Sequence, residues 1–358
     1  MICCSECFND IEIKSAIENL SRKGDCPICK SKNTWIYNSK IDGFNTDIEE
    51  QLGSIISIYK PIPEEQLSDD KIEHCNLEEC LSRDWKIFKV NTEGIRSIVS
   101  GILENSFSLN SNILDQPVYV PELYSNEYLE QNSALKTYTW NEFKKYMRNE
   151  NRFHNKHINF NVLYEILKNA EVIIKAESKL YRARISDKKG YKNEDMYAPP
   201  DDLASSGRAN SKGQSCLYLC SKKDTTLKEI RASVFDYVTI STFTITRDLK
   251  ILDLTSITHN SPFYSNSNKI NFLLNEKHLN DIEKDLSKPM SRRDSELDYL
   301  PTQYISDYAR FCGYDGVKYQ STFDNEAYNL AIFKKDVCRC SYTRNYYIKN
   351  SKYDFVLA

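Results

Sequence analysis

At Lys179 the apolar residues change from a helical period to a strand period, so the chain cannot be one uniform bundle or one uniform sheet. Upstream, "GFNTDIEEQLGSIISIY", "NTEGIRSIVSGILEN", "TWNEFKKYMRNEN" and "NFNVLYEILKNAEVIIKAE" place apolar residues on one face of successive helices. Asn45 or Thr46 is expected to cap the first. Thr139 and Glu142, three residues on, form a capping box for the third. Downstream, "KLYRARIS", "SCLYLCS", "VTISTFTIT", "LKILDL", "DGVKYQST" and "YNLAIFK" alternate or are rich in β-branched residues, and predict strands. Two helices are expected among them. "TTLKEIRASVF" would carry an Asp or Thr cap, and "LPTQYISDYARFCG" has Pro near its first turn and Gly313 at its end. The tail after Lys335, with its clustered Tyr and basic residues, reads as a surface strand. The class is therefore α+β, and 358 residues suit two or three domains. No internal repeat is visible.

A second local pattern sits at the N-terminus. Cys4 with Cys7, and Cys26 with Cys29 in "DCPIC", form two C-x-x-C pairs separated by 18 residues. That spacing suits a tetrahedral four-thiolate zinc site, and the Pro stiffens the second knuckle. A closed thiolate shell makes such a zinc structural. Cys3 is an extra thiol that could stand in for Cys4. "EHCNLEEC" (His74, Cys75, Cys80) lacks a second pair and reads as structural, as do Cys338 and Cys340. Twelve Cys in a chain with no apparent export signal imply reduced thiols and a cytoplasmic setting. No apolar run reaches membrane-spanning length. Lys and Arg number 48 against 51 Asp and Glu, a net charge of -3, so no global field draws nucleic acid.

The stretch "SSGRANSKGQSCLYLC" sets Arg208 in a Gly/Ser loop before a short strand. It lacks the Lys and Ser/Thr of a Walker phosphate loop. Taken in order, "LYRAR" (180–184), "GRAN" (207–210), "CLYLC" (216–220), Glu229, "GYDGVKYQS" (313–321) and Asn329 resemble the RES domain, named for its Arg, Glu and Ser. The resemblance covers roughly residues 175 to 340. The helical stretch before it looks like the N-terminal domain, classed with HEPN folds, that accompanies some RES proteins. The implied layout is a four-Cys module at 1–40, a helical domain at 41–175, a RES catalytic domain at 176–345 and a tail at 346–358.

The resemblance implies a fold similar to ADP-ribosylating toxins and cleavage of NAD at the nicotinamide–ribose bond. The ADP-ribosyl group passes to water or phosphate, or to protein in some members. The residues suit that chemistry. A carboxylate, Glu229, would stabilise oxocarbenium character at the sugar carbon and orient the ribose hydroxyls. Arg182 and Arg208 would grip the pyrophosphate. Tyr218 would stack on nicotinamide, and Ser321 would bond the substrate or place Glu229; Asn329 completes the set. Many members carry an aromatic residue where this chain has Ala209, which removes an anchor from the Arg208 loop. NAD is thus the expected substrate, zinc the structural metal, and an antitoxin or regulatory trigger the expected partner; a homo-oligomer, and NADP in place of NAD, stay open. Two rival readings exist. "RNENRFHNKH" sets Arg148 before His154, and Arg152 before His157, at the Arg-to-His spacing of HEPN ribonucleases. A zinc-bearing adaptor that binds a nucleotide without turnover is the other.

Overall fold

The computed structural model describes residues 1–42, 47–68, 72–104, 111–255, 261–263, 268–288 and 296–350. The expected cap residues Asn45 and Thr46 lie outside them. The chain divides into two compact units, Met1–Thr137 with Thr258–Lys277, and Tyr138–Ile257 with His278–Ala358.

The first unit holds a three-stranded antiparallel sheet of β1 (Ile2–Cys4), β2 (Lys23–Gly24) and β3 (Thr34–Asn38), ordered β1-β3-β2. Around it are helices α1 (Ile11–Asn19), α2 (Ser39–Asp42), α3 (Asp47–Ile56), α4 (Leu77–Asp84), α5 (Thr92–Leu103) and α6 (Asn126–Asn132). A second ladder pairs β4 (Lys60–Pro61) with β5 (Val118–Tyr119). One core runs through all of this. Cys3, Cys7, Phe8 and Ile13 share it with Ile48, Leu52, Trp85 and Ile98. The four-Cys segment, expected as a module at 1–40, shares this core: its few residues bury their apolar face against the helices that follow. Trp85 donates to the Tyr59 hydroxyl at 2.9 Å, and that hydroxyl donates to Asp84 at 2.9 Å. Cys75 and Cys80 are joined by a disulfide across the start of α4, with Cα atoms 5.8 Å apart, well within bridging range. The expectation that every thiol is reduced is corrected at this pair.

The second unit is built on an eight-stranded sheet. Its strands are β6 (Glu171–Ile174), β7 (Lys179–Ser186), β8 (Leu217–Cys220), β9 (Tyr237–Ile245), β10 (Leu249–Asp253), β11 (Gly316–Gln320), β12 (Tyr328–Ile332) and β13 (Cys338–Tyr347). The order is β13-β9-β7-β8-β12-β11-β10-β6, antiparallel except for β10 beside β11. Helices α7 (Trp140–Asn149), α8 (Phe160–Asn169), α9 (Lys223–Glu229) and α11 (Leu300–Phe311) belong to it, and α10 (Lys269–Ser287) enters it at His278. Residues 138–175, expected with the helical domain, thus fall in this unit. Leu180, Leu219, Phe243, Ile251 and Leu330 form its main core, each such side chain contributing about 1.5–3 kcal/mol.

Several local expectations hold. Thr139 and Glu142 close the capping box on α7, and α11 is followed by Gly313 at φ 88°, a conformation that only glycine adopts at little cost. Two are corrected. "NFNVLYEILKNAEVIIKAE" is not one helix: its β-branched end pairs with β10 as β6, where sheet partners outweigh helical period. And α9 begins at Lys223 with Lys222 at its cap, not an Asp or Thr, and offers no side-chain cap bond.

Asp315 fastens the end of the sheet. Its carboxylate accepts from Arg247 at 2.8 and 3.0 Å, from the Lys250 backbone at 3.0 Å and from Lys334 at 2.8 Å. Burial alone raises its pKa, but these cations and the backbone donor hold it well below the usual carboxylate range. A depressed folded value means the stabilisation is present above the unfolded pKa of about 4 and is lost as pH falls through the folded one. Asp315→Asn is therefore expected to cost about 1–3 kcal/mol in urea unfolding at neutral pH. The deficit should shrink below about pH 4; a deficit that does not change with pH would refute the ionic origin.

Candidate functional site

Glu229 closes α9, and the chain leaves that helix through Arg231 at φ 53°, a left-handed turn that a non-glycine residue adopts only when its surroundings hold it. Opposite stand β11 and β12, in register with Tyr319 across from Asn329. Ser321 donates from Oγ to Glu229 Oε1 at 2.7 Å, and Asn329 donates from Nδ2 to the same oxygen at 2.7 Å. Ser321 is 1% exposed. Its Oγ also accepts from the Phe323 backbone at 3.3 Å, so its proton is committed to the carboxylate. Glu229 Oε2 has no donor among the described residues, and Glu229 lines a cavity of about 720 Å³. That is room for a cofactor-sized ligand.

Arg182 enters the same cavity from β7. This strand meets β8 at a single register position, Tyr181 across from Cys220, and Arg182 follows immediately. The Arg182 Nε and Nη1 atoms are shut off from solvent and have no hydrogen-bond partner among the described residues. Burial, with Arg184 nearby, pulls its pKa down to about 10, so it stays charged at neutral pH. A buried cation without a partner is costly and uncommon. It is the signature of a place where an anion belongs.

Arg208 also reaches the wall. Its Nη1 donates to the Leu286 carbonyl at 2.7 Å, and its guanidinium lies 5.8 Å from the Tyr299 ring centroid. The loop that carries it is tightly made. Asn210 Nδ2 donates to the carbonyls of Ser205, Ser211 and Gln214 at 2.9–3.1 Å. Gln303 donates to the Gly207 carbonyl at 2.7 Å and to Ser206 Oγ at 2.8 Å. The Tyr218 hydroxyl donates to Asn210 Oδ1 at 2.7 Å and accepts from the Ala209 backbone at 3.1 Å. Burial pushes that phenol's pKa well up, so it remains a donor. Tyr218 thereby fills the role of the aromatic anchor absent at position 209. Its ring still faces the cavity.

All six residues expected at the site are brought to one place: Arg182, Arg208, Tyr218, Glu229 and Asn329 line the cavity, and Ser321 stands behind Glu229. Further wall residues were not expected from the sequence, among them Arg231, Lys288 and Tyr319. Four cations, Arg182, Arg208, Arg231 and Lys288, thus share the lining with one carboxylate, which favours a polyanionic ligand. The signal for Tyr319 lay inside "GYDGVKYQS", two residues before Ser321 and so on the same side of the strand.

The Arg and His residues of "RNENRFHNKH" do not form a comparable site. Arg148, near the end of α7, is paired with Asp298. His157 is buried between Tyr138 and Tyr146, with ring centroids 3.8 and 4.2 Å away. His154 and Arg152 are exposed on the loop between α7 and α8. Their spacing would align on a continuous helix, and the helix has ended.

In the first unit the thiols of Cys4, Cys7, Cys26 and Cys29 lie within 4.8 Å of one another. Individual separations are 3.8 Å (Cys4–Cys7), 3.3 Å (Cys4–Cys29) and 3.6 Å (Cys7–Cys26). Four sulfurs around a tetrahedral ion at about 2.3 Å stand about 3.8 Å apart, so this set fits a metal. Cys3 is outside the cluster, because alternation along β1 points it away from Cys4.

Residues 179–352 match the model of the RES domain family. A solved structure from M. tuberculosis, titled as the MbcT–MbcA toxin–antitoxin complex, contains a chain similar to this one. It shows 14% identity and a TM-score of 0.32, with 52% of this chain and 92% of that chain covered. No curated protein sequence matches.

Gly207 explains how tightly the loop is drawn. A Cβ there would stand 2.6 Å from both Asn210 Oδ1 and the Tyr218 hydroxyl, closer than atoms approach. Gly207→Ala is expected to lower stability by about 1–3 kcal/mol and to displace Arg208. Tyr218→Phe should cost a similar amount by leaving Asn210 Oδ1 and the Ala209 N–H unpaired. Thermal unfolding of both variants checks this; wild-type midpoints would mean the loop is not held through Tyr218.

Proposed function

Because the chain carries a RES domain at residues 179–352, we propose that it is an enzyme that cleaves the nicotinamide–ribose bond of NAD and passes the ADP-ribosyl group to water or phosphate. The observation that carries this reading is the pair of unfilled positions in one cavity: the partnerless Arg182 guanidinium and the free Oε2 of Glu229. A dinucleotide offers a match for each, a pyrophosphate for the cation and a sugar for the carboxylate.

As the C–N bond lengthens, positive charge develops on the ribose carbon, and nicotinamide departs with the bonding electrons as a neutral base. The negative charge of Glu229 is already in place, its Oε1 held by Ser321 and Asn329. It therefore does not reorganise during the step. No strong general acid is needed. When water is the acceptor, a C–O bond forms at the same carbon and one proton is released; with phosphate, the ester forms directly. Arg182 receives the pyrophosphate in a charge-assisted contact. Arg208 spends one N–H on Leu286 and keeps the others for the same group. NAD depletion of this kind is the action of a toxin or an anti-phage effector, and an antitoxin or trigger would restrain it.

The test is incubation of the purified protein with NAD, with and without inorganic phosphate, and product identification by mass spectrometry. Nicotinamide with ADP-ribose, or with ADP-ribose 1″-phosphate, is expected. Glu229→Gln should slow release by at least about 100-fold, as removal of one preorganised charge-stabilising group does. Undiminished cleavage by that variant would overturn the assignment.

The four thiolates suit a structural zinc, which would cross-link β1, the turn after it and the knuckle at Pro27–Cys29. Elemental analysis should find about one zinc per chain. Cys26→Ser should lose it and lower the unfolding midpoint of the first unit; a metal-free wild type with an unchanged midpoint would refute the site.

A further inference from the structure

Three tyrosines line the cavity, Tyr181 on β7, Tyr218 on β8 and Tyr319 on β11, and the last two are used differently. The Tyr218 hydroxyl is spent on the Arg208 loop, donating to Asn210 and accepting from Ala209. Tyr319, on β11, is 8% exposed and lines the cavity, and no side chain or backbone group among the described residues is hydrogen-bonded to its hydroxyl. A phenol that borders a cavity in this way can offer its O–H to a ligand. Its ring could be supplied by phenylalanine for packing alone.

The location says what the hydroxyl faces. Tyr319 is directly across from Asn329 on β12 and two residues before Ser321. All three therefore project to the side of the sheet where Glu229 sits. Its charged neighbours within electrostatic reach are Glu229 and Arg208, together with the thiols of Cys216 and Cys220. The phenol thus shares the cavity with the group assigned to the sugar and with one assigned to the phosphates. In a ribosyl substrate, the atoms joining those two ends are the 5′ oxygen and its phosphate.

On the reading that the substrate is NAD, we propose that Tyr319 is a substrate-binding residue whose hydroxyl donates to the phosphate adjoining the reacting ribose. It would fix the distance between the gripped pyrophosphate and the carbon that Glu229 faces. Substrate contact would use the cavity-lining hydroxyl that the loop does not need, whereas that of Tyr218, on the strand beyond β12, is fully engaged.

Tyr319→Phe removes the oxygen and keeps the ring. Because no protein hydrogen bond is lost, the unfolding midpoint should match the wild type, in contrast to Tyr218→Phe. Loss of a hydrogen bond to a charged acceptor should lower kcat/KM for NAD by about tenfold to a hundredfold. Calorimetry on the Glu229→Gln background should show NAD affinity falling when Tyr319→Phe is added. If the wild type cleaves NAD and Tyr319→Phe matches it in kcat/KM and affinity, the inference is overturned while the enzymatic reading stands. If the wild type neither binds nor cleaves NAD, both are overturned. A lowered midpoint with unchanged affinity would make Tyr319 structural and also overturn the inference.

Discussion

The hydrogen bonds converging on Glu229 Oε1 are the constraint on which the rest of the site depends. One carboxylate oxygen accepts from Ser321 and from Asn329, residues that reach it from β11's end and from β12. Bonds to an ionised acceptor are the stronger kind. Here they tie the last residue of α9 to two adjacent strands, and they leave Oε2 without a donor among the described residues. Any slip of β11 against β12 by one residue would turn Tyr319 and Ser321 to the face opposite Asn329. The sheet register and the chemistry of the carboxylate are therefore one requirement. Asp315 contributes at the other end, where it accepts from Arg247, Lys334 and the Lys250 backbone.

Arg182 presents the opposite case. Its neighbours on β7 are paired along β9 from Lys179 to Ser186, so its backbone is thoroughly determined. Its Nε and Nη1 are nonetheless left without a partner. A sheet this regular can hold one unfavourable buried charge because the surrounding pairing over-determines the strand. The single contact between β7 and β8 is what opens a space beside it. The same regularity that builds the unit thus supplies a poised, unsatisfied cation.

Much of this was legible in the chain itself, for reasons that differ by residue. The four cysteines were readable because a metal knuckle is local: two residues between the members of each pair, whatever the fold. Thr139 with Glu142 and Gly313 were readable for the same reason. Glu229 was readable only through its order relative to Ser321 and Asn329, since a lone Glu in a charged helix says nothing. The task of Tyr218 was not readable, because stacking and loop-anchoring call for the same residue, and the choice rests on where Asn210 and Ala209 come to lie. Nor was α10, whose apolar residues, Ile270, Phe272, Leu273, Leu279 and Ile282, are interspersed with charges and amides. The packing of the four-Cys segment was not readable either: it looks self-sufficient in sequence, whereas Cys3, Cys7 and Phe8 share one core with the later helices.

The walls of the cavity divide by what their polar atoms already do. Tyr218 and Asn329 in the wall, and Asn210, Gln303 and Ser321 behind it, make hydrogen bonds to the protein. They hold shape. Arg182, Glu229 Oε2 and Tyr319 have theirs uncommitted, and they come from three different elements, β7, α9 and β11. Folding alone gives no reason to leave the Arg182 cation without a partner in a cavity that also holds the Glu229 carboxylate, since the two would be expected to pair. Their separation is meaningful if something with both a negative and an incipiently positive centre is to stand between them. A pyrophosphate linked to a ribose that is losing its base has that distribution, and the held groups fix the spacing to which it must conform.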